Sequence, residues 1–226
     1  MTEAHGGLAA WAAAPAVEWV DRWTQPGQPA DPPMRVVVEQ GRRRAYLERL
    51  DGGTRAAWDG ERAWGLAWEG APPRFMALLN YYFLNLPWVV HDPGVRLGEP
   101  QRGRLWDDPT EYWTVRMTFE AGVGDTPRDD YLLYLDPESH RLRAVEYVVT
   151  YRALLPEGAE ATPPHVLVFE DWTMAGGLTV PAAFTIYQLD HTEYGACAIR
   201  DWSFSGPFDE SRLALPEGGV VDTSTP

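Results

Sequence analysis

The stretch that decides the fold is Pro72-Pro73-Arg74-Phe75-Met76-Ala77-Leu78-Leu79-Asn80-Tyr81-Tyr82-Phe83-Leu84-Asn85-Leu86-Pro87-Trp88-Val89-Val90. The paired prolines suit a helix start, because the first helical N–H groups have no partner within the helix to lose. Phe75, Leu79, Tyr82 and Leu86 then fall at helical spacing, with Met76 and Phe83 beside them, and Pro87 is expected to end the run. Such a helix is apolar round more than half its circumference, so it has to lie inside something. The apolar run covers residues 75–90 and is interrupted by Asn80, Asn85 and Pro87. That is short of the ~20 residues a membrane-spanning helix needs, so no segment is expected to cross a bilayer. The container must be protein.

Working outward, the flanking sequence reads as strand. Segments 17–24, 34–40, 43–50 and 63–68 are short runs rich in valine and aromatics. They are separated by Gln40-Gly41, Asp51-Gly52-Gly53 and Asp59-Gly60, which tolerate the backbone of tight turns. Residues 112–120 alternate. Tyr112, Thr114, Arg116 and Thr118 share one side, while Trp113, Val115, Met117 and Phe119 form an apolar side expected to face a core. Segment 131–135 turns through Asp136-Pro137-Glu138-Ser139-His140 into 142–151, with proline at its favoured turn position. Segments 166–172, 178–189 and 194–204 bring the total to about ten strands. Pro181 implies an edge or a bulge. A second helix is expected over 3–14, alanine-rich and stopped by Pro15, although Gly6 and Gly7 weaken it. The expected organisation is one domain over 1–215 and a mobile tail over 216–226, which has little to bury.

Composition narrows the function. The chain has 226 residues, 33 acidic against 19 basic, a net charge of −14 and one cysteine. A surface this acidic repels phosphate backbones and anionic bilayers, so nucleic acid is not an expected partner. All the basic residues are arginine. The absence of lysine removes P-loop, protein-kinase and Schiff-base chemistry. The acidity fits either a salt-rich cytoplasm or arginine-for-lysine codon usage. Residues 8–16 are apolar, but Glu3 and His5 precede them with no arginine, which makes a poor signal peptide. The chain as it stands is therefore expected in the cytoplasm, or in the periplasm if a leader was removed.

No motif supplies a nucleophile, a metal or a cofactor site. His5, His91, His140, His165 and His191 never pair at i,i+4 on a helix. His91 reads either as a polar handle at a cavity mouth or as a turn histidine after a helix C-terminus. Adjacent acids such as Glu170 and Asp171 point to opposite faces of a strand and form no ready-made dyad. Cys197, between small residues, reads as a buried inert thiol. Gly122-Val123-Gly124, followed by Asp125, reads as a loop. The informative surplus is aromatic, with 11 Trp, 10 Tyr and 7 Phe. It fits a core filled by its own rings, in a ligand-free structural or protein-interaction domain. The other reading is an apolar cavity between helix and sheet that holds a lipid.

The opening His5-Gly6-Gly7-Leu8-Ala9-Ala10-Trp11, the central Tyr81-Tyr82-Phe83-Leu84-Asn85-Leu86-Pro87-Trp88 with His91-Asp92-Pro93-Gly94-Val95, the hairpin Leu133-Tyr134-Leu135-Asp136-Pro137, and Gly176-Gly177-Leu178-Thr179-Val180-Pro181 resemble an uncharacterised bacterial family. That family is similar to the LolA/LolB lipoprotein-carrier superfamily. The resemblance implies an α+β fold, mainly antiparallel: a half-open, unclosed β-barrel capped by two or three helices, with an apolar interior. In the carriers that interior receives acyl chains of lipoproteins in the periplasm. It further implies non-enzymatic binding of a hydrophobic small molecule or acyl chain, with a lipoprotein or membrane-associated partner. The residues expected to meet the ligand are Phe75, Leu79, Tyr82, Phe83, Trp88, His91 and Trp113. No lipoprotein-handling residue matches position by position.

Overall fold

The structure, a computed structural model, describes residues 1–124 and 126–225. Its strands are β1 (Ala16–Thr24), β2 (Met34–Glu39), β3 (Ala45–Arg49), β4 (Arg55–Trp58), β5 (Ala63–Leu66), β6 (Val95–Leu97), β7 (Gln101–Gly103), β8 (Tyr112–Phe119), β9 (Asp130–Leu135), β10 (Leu142–Val148), β11 (His165–Ala175), β12 (Leu178–Gln188), β13 (Glu193–Ser203) and β14 (Val220–Val221). They form one antiparallel sheet in the order β14-β5-β4-β3-β2-β1-β13-β12-β11-β10-β9-β8-β6, with β7 also paired to β8. Among the described residues the end strands β14 and β6 do not pair with one another, so the sheet is a half-open barrel, as expected.

The strand count exceeds ten because four strands carry little sequence signal. In β4 both Ala56 and Ala57 are buried, so no alternation marks it. β6 and β7 are three residues each and pair with successive parts of β8. β14 lies in the segment read as a mobile tail, and here the structure differs from the reading. Val220 and Val221 pair with Gly65 and Trp64. The Asp222 N–H donates to Ala63 O at 2.8 Å, and the Asp222 carboxylate accepts the Arg74 N–H at 2.9 Å. Tyr151 and Ser224 hydroxyls meet at 3.0 Å. Main-chain pairing holds this segment, and pairing needs no apolar side chain. Pro226 lies outside the described residues.

Pro181 sits in an interior strand at a bulge: the β11–β12 register shifts between Phe169 and Asp171 and again between Asp171 and Trp172, which faces Pro181. The bulge leaves the proline without a ladder bond to donate. The expected N-terminal helix is broken into a 3-10 turn (Thr2–His5) and α1 (Leu8–Ala12), because Gly6 and Gly7 adopt φ of 100° and 83°. The central helix starts at Pro73, as expected. It is α2 (Pro73–Leu84), and it breaks at Asn85, not at Pro87. Asn85 is fully buried; its amide donates to Tyr81 O at 2.9 Å and its Oδ1 accepts the Trp11 indole N–H at 2.8 Å. Those bonds satisfy the end of α2, and Pro87 falls in the first turn of α3 (Leu86–Val89), where proline is tolerated.

The helices lie on one face of the sheet over the main core, which includes Trp19, Leu47, Tyr81, Trp88, Met117, Leu133, Leu167 and Phe184. The other face is not bare. Tyr112, read as outward-facing, is buried with Leu105, Tyr134, Ala144, Val166 and Val168, because residues 104–106 fold back over that side.

Candidate functional site

α2 carries two apolar stripes. Ala77, Tyr81 and Leu84, at i, i+4 and i+7, are buried where α2 packs across β2 to β5. The second stripe, Phe75, Leu79 and Tyr82, is only half-buried. Together with Leu78, Phe83 and Leu86 it walls a cavity of about 470 Å³. The opposite wall is Met117 and Phe119 of β8, Tyr131 of β9 and Val149 just past β10. Ring contacts knit the ends: Phe75 lies 5.1 Å from Tyr151, and Phe83 lies 6.0 Å from Tyr131.

The rim is polar. Gln40, Arg42 and Arg43 come from the β2–β3 turn, Arg74 from the first turn of α2, Asp92 from the turn after α3, and Thr126 from the loop before β9. Arg43 donates to both Asp92 oxygens, at 2.8 and 3.0 Å. Burial raises the Asp92 carboxyl above its ordinary range, against the pull of Arg43. Asp129 lies deeper. It accepts the Thr150 N–H and hydroxyl at 2.7 Å each, the Thr126 hydroxyl at 2.8 Å and the Tyr131 hydroxyl at 3.3 Å. Burial again raises this carboxyl, and four donors occupy its oxygens. It ties the loop to the end of β10 and offers no free lone pair to chemistry.

Of the residues singled out from sequence, Phe75, Leu79, Tyr82 and Phe83 come together on this cavity. Trp88, His91 and Trp113 do not line it. Trp88 is fully buried behind the wall, its indole N–H on Gly7 O at 3.0 Å and its ring stacked on Trp11. His91 is exposed and donates through Nε2 to the Thr2 hydroxyl at 2.9 Å, which itself donates to Pro87 O at 2.7 Å. It is a turn histidine that fastens the N-terminal segment. Trp113 shares the inner side with Phe119 but stands six residues away, ~20 Å along the strand, under the Arg102 guanidinium at 3.7 Å. The sequence reading missed Leu78, Tyr131, Val149, Tyr151 and the three rim arginines. Met117 and Phe119 were legible in the alternation of 112–119.

Other reactive groups lie elsewhere. Cys197 is buried and burial pushes its thiol well above the usual range. Glu170 is exposed, 3.9 Å from Arg143. Among the described residues no three His, Cys, Asp or Glu side chains are grouped to hold a metal, and no helix is long and apolar enough to cross a membrane. Asp125, which follows Gly122-Val123-Gly124 in sequence, lies outside the described residues.

No family model matches the chain, and no curated protein does. Solved structures do. A DUF1329 family protein from Desulfovibrio piger aligns with a TM-score of 0.60 at 8% identity, over 92% of each chain. A LolA superfamily protein from Nitrosomonas europaea aligns with a TM-score of 0.56 at 10% identity, over 92% of this chain and 95% of its own. A domain from Vibrio parahaemolyticus described as an outer membrane lipoprotein-sorting protein aligns with a TM-score of 0.54 at 9% identity, over 94% and 97%. At such identities the likeness is one of fold: the chain has the half-open, LolA-like barrel over nearly its whole length.

Proposed function

We propose that the protein binds a hydrophobic ligand, an acyl chain or another lipid, between α2 and the β8–β10 side of the barrel, without catalysis. The observation that carries this reading is the half-buried stripe Phe75, Leu79 and Tyr82 facing Met117 and Phe119 across about 470 Å³. That volume lies within the ~300–1,000 Å³ of small-molecule sites. A folded chain gains nothing by leaving large apolar side chains half wet, whereas a ligand that covers them gains ~0.8 kcal/mol for each methylene it buries. Lipoprotein sorting, the role in the Vibrio parahaemolyticus neighbour's description, is a role of this kind. Carriage of an acyl chain, with the periplasm as compartment, extends the same reading.

A self-filled barrel is favoured for the other part of the molecule, where Trp19, Phe169 and Phe184 on β1, β11 and β12 are fully buried. The two readings therefore divide the interior between them: rings fill the β1–β12 part, and the ligand takes the space beside α2. Native mass spectrometry of detergent-free protein, followed by organic extraction, tests the proposal. A co-purifying lipid, or uptake of a fluorescent fatty-acid probe that Leu79→Arg abolishes, supports it. A clean apo mass with no probe uptake by the parent protein overturns it.

A further inference from the structure

The cavity's rim says more about the ligand than its wall does. The chain carries −14 overall, yet Arg42, Arg43 and Arg74 all border this one opening. Arg42 is exposed on the β2–β3 turn and makes no hydrogen bond or ion pair among the described residues. Arg43 is held in place: both Asp92 oxygens grip its Nη2, and its guanidinium lies 4.7 Å over the Tyr81 ring and 5.3 Å over Trp11. Its Nη1 is buried and has no acceptor among the described residues. The Arg74 guanidinium stacks 4.4 Å over Trp58. The two carboxylates on the lining, Asp92 and Asp129, are spent on Arg43 and on four internal donors. Arg42, near enough to act on the Glu39 and Glu210 carboxylates, is thus the exposed cation at an opening whose own two carboxylates are tied down.

We propose that the ligand is an anionic single-chain amphiphile, its apolar tail between α2 and β8 and its carboxylate or phosphate head on the rim of Arg42 and Arg43. This rests on the cavity reading above and adds to it the chemistry of the head. Guanidinium groups recognise planar carboxylate and phosphate oxygens through paired N–H donors, which a neutral alcohol or ester cannot match. Arg43, already braced by Asp92 and two rings, loses little freedom on taking up a head group.

Displacement of a bound fluorescent probe from the full chain tests this, with palmitic acid against methyl palmitate and lysophosphatidic acid against monoacylglycerol. In low salt the anion of at least one pair should compete about tenfold better than its neutral partner, a difference of about 1.4 kcal/mol. The pair with the larger gap identifies carboxylate or phosphate as the head. The gap should shrink towards one in Arg42→Gln and in molar salt, which screens an exposed charge. Arg42 packs on no ring, so Arg42→Gln keeps the test intact even if Arg43→Gln fails to fold. Equal competition by both members of both pairs overturns the head-group proposal and leaves the cavity standing. No competition by any of the four overturns the cavity reading itself.

Discussion

The main-chain N–H of Leu142 donates to Nε2 of His5 at 3.1 Å, across 137 residues of sequence. Nδ1 of the same ring carries the proton and donates to Thr179 O at 2.9 Å. One fully buried imidazole, edge-on to Trp172 at 4.5 Å, therefore joins the N-terminal turn to β10 and β12 and fixes its own neutral tautomer.

The stability of the protein should depend on pH through this ring. Burial pulls the His5 pKa from 6.5 down to about 4, and nearby Arg141 and the N-terminus act in the same direction. The unfolded chain takes up a proton on His5 below about pH 6.5, while the folded chain resists until about pH 4. The stabilisation is then complete above pH 6.5 and fades as the pH falls to 4, by about 3 kcal/mol at most. Urea midpoints of the parent and His5→Gln, measured from pH 8 to 4, check it. The parent should be the more stable at pH 8 and lose its lead as the pH drops. A lead that does not change with pH would sink the idea.

Asp21 should behave in the opposite sense. Its carboxylate is buried and burial raises its pKa; Oδ2 accepts both the Trp19 indole N–H and the Asn80 amide at 2.9 Å. A carboxyl raised in the folded state favours folding at low pH and disfavours it once the pH exceeds the ordinary carboxylate range. Asp21→Asn retains one oxygen for both bonds and removes the buried charge. It should therefore raise the melting temperature at pH 7.5, whereas Asp21→Ala, which strands the Trp19 and Asn80 donors, should lower it. Equal losses in both variants would show that the charge itself is needed.

Gly6 should tolerate no side chain. Its φ is 100°, and a Cβ would stand 2.7 Å from Gly177 O and 3.0 Å from Leu178 Cδ2. Gly6→Ala is expected to cost about 2–4 kcal/mol from backbone strain and overpacking together. Gly53→Ala, where a Cβ meets nothing within 4 Å, should stay within ~0.5 kcal/mol of the parent. Denaturant melts that give the two variants the same midpoint would contradict the close packing of the N-terminal turn on β12.

These sites show how far the sequence could be read. The strands with period-two patterns and strong turns were legible, as was the start of α2 at Pro73. Strand β4 was not, because two buried alanines in succession erase alternation, nor was β14, whose two exposed valines pair through the main chain and bury little. The stripe of Phe75, Leu79 and Tyr82 was legible as apolar, but periodicity gives no volume and could not say that it borders space while Ala77, Tyr81 and Leu84 border sheet. Trp88 was misplaced for the same reason: a large ring next to the stripe in sequence lies behind it in space. The arginine rim depended on bringing the β2–β3 turn, the start of α2 and the turn after α3 together, pairings separated by up to 49 residues as in Arg43 and Asp92.

The division of α2 into two stripes makes the sharpest demand. Leu84 is fully buried against the sheet, so Leu84→Ala should cost about 2–5 kcal/mol through lost burial and the hole left behind. It should leave the affinity of the folded protein for a fatty-acid probe nearly unchanged, because the side chain does not reach the cavity. Leu79→Trp, five residues earlier and half-buried on the cavity wall, should do the reverse. The indole has free space to enter, so the melt should move little, while the probe loses the volume it needs and its affinity falls at least about tenfold, or about 1.4 kcal/mol. Stability and binding are thus expected to separate along one helix at positions on opposite sides of it. Were Leu84→Ala to weaken the probe as much as Leu79→Trp does under conditions where both are folded, the ligand would not lie between α2 and β8, and the cavity would be a packing defect only.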